Sequence, residues 1–340
     1  MTLRTGLIGA GANTASQHIP GFRRLEGVEV TAVVNRSRES SQRIADQFGI
    51  PRIFDTPEAL CADPEIDAVC IGTWPYKHRE YSIMALEAGK HVLCEARMAM
   101  DLAEAEDMLA ASERHPELVA QLVPAPFDFR LGPTITRMIN EGELGEVHDV
   151  AVRVLNPSSL DRSAPLHWRM RADYSGKNVM MFGIFVEVTH RWLGDHAHVS
   201  ADGDIVVGER TNPETSQPAA VTVPDIYVVT GRLRRGARIT YHFSSVAAGG
   251  EPNGITVFGS KATLRWRVGD TAELVPLGGQ ATPVEPDPGT DRGWKVEEDF
   301  AASVLSGAPV KLTSFPDGVR YMKVIDAAYE SWQSGERCLV

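Results

Sequence analysis

Apolar positions in the first third of the chain alternate between two rhythms. LRTGLIGAG (3–11), VEVTAVV (28–34), IDAVCIGT (66–73), HVLCE (91–95) and LVAQLV (118–123) are short, nearly continuous apolar runs. Between them lie TASQHIPGFRRL (14–25), SSQRIADQFG (40–49), REYSIMALEAG (79–89) and LAEAEDMLAASE (102–113), with helical spacing and capping signals. Strands buried on both faces, each followed by an amphipathic helix, predict a parallel sheet covered on both sides. After PAPF (124–127) the rhythm changes. PTITRMINEGELG (133–145) predicts one helix, and EVHDVAVRVL (146–155) begins a series of alternating strands. DIYVVTGRL (225–233), ARITYHFSS (237–245), GITVFGS (254–260) and ATLRWRV (262–268) continue it. Such repetition predicts a large, mostly antiparallel open sheet with one covered face. VGERTNPETSQPAAVTVP (207–224) reads as a surface excursion, and helices WKVEEDFAASVLSG (294–307) and DGVRYMKVIDAAYESWQSG (317–335) close the chain. The expected class is α/β, with a first domain over 1–124 built on the parallel sheet and an α+β domain over 125–340 built on the antiparallel one.

Composition narrows the partners. The chain has 340 residues, 43% hydrophobic and 23% charged, with net charge −11 from 34 basic and 45 acidic side chains. Without a basic face a nucleic-acid partner is not expected, because binding there rests on phosphate neutralisation. No run has transmembrane length. Cys61, Cys70, Cys94 and Cys338 follow no metal-ligand spacing, so no metal is expected. Thiols inside apolar runs fit a reducing, cytoplasmic setting.

Gly9-Ala10-Gly11-Ala12-Asn13-Thr14 joins the first strand to the first helix. There, glycines permit a tight turn and close approach of backbone to a pyrophosphate, which the helix N-terminus favours. Thr14 stands where the fingerprint has its third glycine, and a Gly-x-Gly also occurs in ordinary turns. An NAD site usually places an acid at the end of the second strand, for the ribose hydroxyls. This chain has Asn35-Arg36-Ser37 instead. A guanidinium can bind a 2′-phosphate bidentately, so NADP is expected, with NAD possible.

These residues and several later stretches resemble the glucose-fructose oxidoreductase / inositol dehydrogenase / MocA (Gfo/Idh/MocA) family. Thr73-Trp74-Pro75-Tyr76-Lys77-His78 is similar to the family's Thr-Pro-x-x-x-His loop, and ALEAGKHVLCE (85–95) to its most recognisable stretch. FRLGPTITRMINEGELGEV (129–147) carries Arg130 at the usual arginine, and GITVFGSKATLR (254–265) resembles a later strand. The resemblance implies a Rossmann domain, hydride transfer between a nicotinamide and a sugar, polyol or related carbonyl, and a homo-oligomer, dimer or tetramer. It assigns Thr73, Trp74, His78, Glu95 and Ala96 to the cofactor site, beside the glycine turn.

Two family motifs for proton transfer are altered. Glu-Lys-Pro reads Glu95-Ala96-Arg97, so the lysine is replaced. In SGKNVMMFGIFVEVTHRWLG (175–194), aligned on Gly183, Met181 takes the position of the family's aspartate and Phe185 that of its histidine. Spacing i, i+4 keeps both on one helical face. Lys177 and Asn178 would share that face if the helix began early enough, and a desolvated lysine can act as a base. Arg97 could bind an anionic substrate group or pair with Glu95, and Tyr174 could donate to a developing alkoxide. Trp168 and Arg169 offer a stacking face and an anion contact, with Arg130, Asn178, Met181 and Phe185 completing the expected pocket. Glu187 with Arg191 at i+4 reads as an ion pair, and His190 as a partner of Glu187. Three functions remain open: an oxidoreductase with substituted acid–base groups, a non-redox lyase, hydratase or glycosidase using transient oxidation, and a catalytically silent nucleotide-binding sensor.

Overall fold

The computed structural model describes residues 2–249 and 252–340. Its chain forms two compact units. In the first, strands β1 (Leu3–Ile8), β2 (Val28–Val34), β3 (Arg52–Ile53), β4 (Ala68–Ile71), β5 (His91–Cys94) and β6 (Ala120–Leu122) form a sheet in the order β3-β2-β1-β4-β5-β6. All of its pairings are parallel. Helices α1 (Ile19–Arg23), α2 (Arg38–Phe48), α3 (Pro57–Ala62), α4 (His78–Glu87) and α5 (Leu102–Arg114) make the crossovers. Every residue of β4 is buried, as expected of a strand covered on both faces. The helix boundaries follow local chemistry. Ser37 caps α2 by accepting from Ser40 N, and Gly49 ends it in a left-handed turn, where a side chain would be strained. Strand order reverses at β1, flanked by β2 and β4, the place where doubly wound sheets bind ligands.

The second unit is built on helix α6 (Gly132–Asn140), strand β7 (Val147–Leu155), a single turn α7 (Ala172–Ser175), helix α8 (Phe182–Leu193) and strand β8 (His196–Asp204). A hairpin of β9 (Glu209–Thr211) and β10 (Pro218–Ala220) follows. Then come β11 (Ile226–Leu233), β12 (Arg238–Ser244), β13 (Gly254–Gly259), β14 (Ala262–Arg267), β15 (Thr271–Pro276) and β16 (Thr282–Pro283). With the terminal β17 (Cys338–Leu339) they form a nine-stranded sheet, ordered β16-β15-β14-β13-β7-β12-β11-β8-β17. Only the β7–β12 pair is parallel. Alternation puts Tyr227, Tyr241, Phe243 and Trp266 on the buried face, where Phe182 and Phe185 of α8 meet them edge-on.

One expectation changes. Residues 295–319 do not join the second unit: helix α9 (Val296–Ser306) and the segment after it pack with the first. Phe300 meets Phe22 edge-on, and Leu122 N donates to Thr313 O. The 207–224 stretch lies largely at the surface as expected, as the β9–β10 hairpin, and it is anchored. Arg210 is buried, and its guanidinium donates to the carbonyls of Ser159, Asp161 and Ala164, which fastens the hairpin to the loop after β7. Helix α10 (Phe315–Ser334) ends the helical part of the chain. No helix among the described residues is long and apolar enough to cross a membrane.

Candidate functional site

The glycine turn sits at the end of β1 and is packed to the limit against the end of β4. Gly9 has φ +81°, and a Cβ there would lie 2.5 Å from the Thr73 side chain. A Cβ on Gly72 would lie 2.1 Å from Thr14 Oγ1 and 2.5 Å from Gly9 O. The fingerprint's third glycine normally allows close packing of helix on strand. Here Thr14 is buried, and Gly72 on the facing strand supplies the missing room. Beside Gly11, by contrast, the nearest atom to an added Cβ is Gly72 O at 3.9 Å. That open backbone is what approach of a pyrophosphate requires, and the helical segment from Thr14 starts three residues on. The turn therefore fits a dinucleotide.

Asn35 and Ser37 do not serve as free donors at the end of β2. Asn35 Oδ1 accepts from Ala10 N at 2.6 Å and its Nδ2 donates to Ser40 O, so it braces the glycine turn. The Ser37 hydroxyl is the α2 cap. Arg36 is exposed, and the neighbouring Arg38 pairs with Asp55. His78 is fully buried, with Nδ1 2.9 Å from Arg97 O and Nε2 3.0 Å from Thr73 O. Burial pushes its pKa down. It ties the 73–78 loop, where the Trp74 and Tyr76 rings lie 6.4 Å apart, to the segment after β5.

Glu95 follows β5, and both of its carboxylate oxygens make contacts within the same region. Its Oε1 accepts from the Asn13 side chain of the glycine turn and from His18 Nε2 at 3.0 Å. Its Oε2 accepts from Ala96 N at 3.2 Å. Arg97 is buried and takes no part in these contacts, so the expected Glu95–Arg97 pair does not form, and the guanidinium is not presented to a substrate. The Ala96–Arg97 peptide is cis. On the far side of His18, Nδ1 lies 2.5 Å from Glu297 Oε1. Burial alone would lower the His18 pKa, but hydrogen bonds to Glu297 and Glu95 raise it to about 9. Burial likewise pushes the Glu95 carboxyl up, yet the His18 imidazolium and Asn13 hold it below its usual range.

In the second unit the expected proton-transfer face is absent. Gly176 at φ +62° and Met180 at φ +44° break the chain before α8, which starts only at Phe182. Lys177 and Asn178 therefore share no helical face with Met181. Lys177 Nζ lies 2.8 Å from Asp326 Oδ1 and 3.5 Å from Glu330 Oε1, a structural pairing that removes it as a base. Asn178 is buried and donates to Ser175 O. Met181 is half-buried at the start of α8. Phe185 has no exposed surface, and its ring stacks on Phe127 at 5.2 Å, so it is core and not pocket. Arg130 is committed to Asp270 O and Glu285. Glu187 pairs with Arg191 at 2.6 Å as expected, and His190 Nε2 lies 3.0 Å from His196 Nδ1.

The loop after β7 holds the remaining candidates. The Arg169 guanidinium lies 4.2 Å over the Trp168 ring, and Arg171 lies 4.1 Å over Tyr174. His167, Arg169, Met170 and Met180 line a cavity of about 460 Å³ with Arg210 and Asp225. Asp225 is pinned there, accepting from Val206 N and Val207 N. The volume suits a small molecule. Nothing in the sequence marked Arg210 or Asp225 for this wall. His18 and Glu297 were equally hidden, because they lie 279 positions apart.

Comparison with known proteins decides the family. Residues 3–121 match the model described as "Oxidoreductase family, NAD-binding Rossmann fold", and residues 134–265 match the GFO/IDH/MocA C-terminal domain. The chain belongs to the Gfo/Idh/MocA oxidoreductases. It is 26% identical to myo-inositol 2-dehydrogenase of Thermotoga maritima over 270 residues, 77% of this chain and 74% of that one. It is 39% identical to 1,5-anhydro-D-fructose reductase of Ensifer adhaerens over 109 residues, which spans 32% of each. A crystal structure of an oxidoreductase domain protein from Kribbella flavida superposes with TM-score 0.88 at 25% identity, covering all of both chains. The first unit is thus the family's NAD-binding Rossmann fold, and the protein is an oxidoreductase.

Proposed function

We propose that the protein oxidises an alcohol of a carbohydrate or polyol, or reduces the corresponding carbonyl, with NADP preferred to NAD. The observation that carries the nucleotide part is the glycine turn at the strand-order reversal, open beside Gly11 and closed by Gly72 behind it. A nicotinamide nucleotide, when bound, supplies the hydride acceptor or donor. Gly9, Gly11, Ala12, Asn13 and Thr14 would hold its pyrophosphate, with Thr73, Trp74 and Ala96 alongside.

The NADP preference rests on Arg36, an exposed guanidinium just past the end of β2. Arg36→Ala should weaken NADP by about 10- to 100-fold, the worth of one charge-assisted contact. NAD should change by less than about 3-fold. Equal losses in paired binding titrations would remove the preference.

The carbohydrate-like substrate is supported by the relatives, which include an inositol dehydrogenase and an anhydrofructose reductase. The cavity beside His167 and Arg169 offers a place for it. Lys177 is ion-paired and Arg97 buried, and we assign proton transfer to the half-buried Tyr174 hydroxyl. Tyr174→Phe should lower kcat by about 10²- to 10³-fold with nucleotide Kd unchanged. Unaltered turnover would exclude it. Cytoplasmic location and a homo-oligomer formed through the uncovered face of the second sheet complete the proposal. Light scattering of the purified chain tests the second point.

A further inference from the structure

We infer that His18 is a positioning residue of the nucleotide site: locked by Glu297, its imidazolium fixes the Glu95 carboxylate beside the glycine turn as an acceptor for a hydroxyl of the bound nucleotide. The inference rests on the nicotinamide reading above.

Three observations carry it. First, the ring is fully buried and both of its nitrogens meet carboxylate oxygens, 2.5 Å to Glu297 and 3.0 Å to Glu95. Only the doubly protonated ring donates to both. Second, room for Glu297 is cut into α1. A Cβ on Gly21 would lie 2.4 Å from Glu297 Oε2. Third, Asn13 joins the same Glu95 oxygen to the turn, so the orientation of this carboxylate and of the turn are set together. Glu95 keeps 15% of its side-chain surface open, whereas His18 keeps none. The carboxylate can therefore meet a ligand, and the imidazole acts only through it.

The arrangement also settles charge. A bare carboxylate near a pyrophosphate would repel it, and the imidazolium offsets that repulsion. Other titratable groups lie near the Glu95 carboxylate, and burial shifts each of them. The Cys70 thiol on β4 and the Cys94 thiol on β5 are pushed up, and His78 on α4 is pushed down. Asn13 meets the Glu95 carboxylate from the turn, and Glu297 meets the His18 ring from α9.

The test is nucleotide affinity against pH, with NADP and NAD as probes on the full chain. Wild-type affinity should hold at neutral pH and fall as pH rises through about 9, where His18 loses its proton. Glu297→Gln removes one of two carboxylates that stabilise the charged ring, so this fall should move down by about one unit or more. His18→Gln should bind about 10-fold more weakly at neutral pH and lack the fall near 9. Glu95→Gln, which folds without needing a cation at that oxygen, should lack it as well. A merely structural histidine would alter stability without moving this midpoint. An unshifted midpoint in Glu297→Gln, a fall near 9 retained in Glu95→Gln, or wild-type behaviour in His18→Gln overturns the inference alone. A wild type that binds neither nucleotide at any pH overturns the nicotinamide reading and this inference with it.

Discussion

Phe185→His, which restores the histidine of the family's motif, is expected to cost about 3–5 kcal/mol of stability and to add no activity. The ring at 185 has no exposed surface. It stacks on Phe127 at 5.2 Å and meets Phe243 at 5.7 Å and Trp266 at 6.5 Å, both edge-on. An imidazole there would be smaller than the space and would bring two polar nitrogens among aromatic carbons. Burying an unsatisfied donor or acceptor costs about 1–3 kcal/mol, added to the lost packing. Urea unfolding of the variant and the wild type measures the difference. A variant as stable as wild type, or one that gains turnover, would mean that Phe185 faces a reaction site.

That residue shows where the sequence was readable and where it was not. The pattern MMFGIF named both altered motif positions, because alignment on Gly183 needs only spacing. Whether the altered face lines a pocket or a core depends on Phe127, Phe243 and Trp266, which arrive from distant segments. Continuous apolar strands with capped helices between them announced the doubly wound sheet, and alternation announced the second. Lys177 was misplaced because the left-handed Met180, a conformation methionine rarely adopts, ends any helix drawn back from Phe182. Asn35 and Ser37 looked like ligand donors because their types suit that role. Only coordinates show that one braces Ala10 N and the other caps α2. The His18–Glu297 contact had no local signal at all, since Glu297 reads as an ordinary acid in the first turn of a helix.

Arg191→Met should destabilise the second unit by about 3–5 kcal/mol, the usual result of removing one partner from a buried charge cluster. The guanidinium donates to Glu187 at 2.6 Å, to Asp128, and to Ala125 O at 3.0 Å. Asp128 also accepts from Trp192 Nε1 at 2.9 Å, so both carboxylates are fixed in place and cannot turn to water. Methionine fills much of the volume but leaves two buried negative charges facing each other. Adding Asp128→Asn and Glu187→Gln to the variant removes those charges and should recover at least half of the loss. Chemical denaturation of the single and triple variants checks both statements. No recovery would show that packing, and not charge, holds this corner.

Lys177, Arg130 and Arg191 are each paired with carboxylates.

Hydride transfer itself is the deciding measurement. The purified protein is mixed with NADP or NAD and a panel of sugars, polyols and their keto forms, and nicotinamide absorbance is followed under multiple turnover. Net reduction or oxidation of the nucleotide by at least one carbohydrate-like compound, faster with NADP than with NAD and lost in Tyr174→Phe, is the expected result. Tight nucleotide binding with no hydride transferred to or from any member of the panel would contradict it.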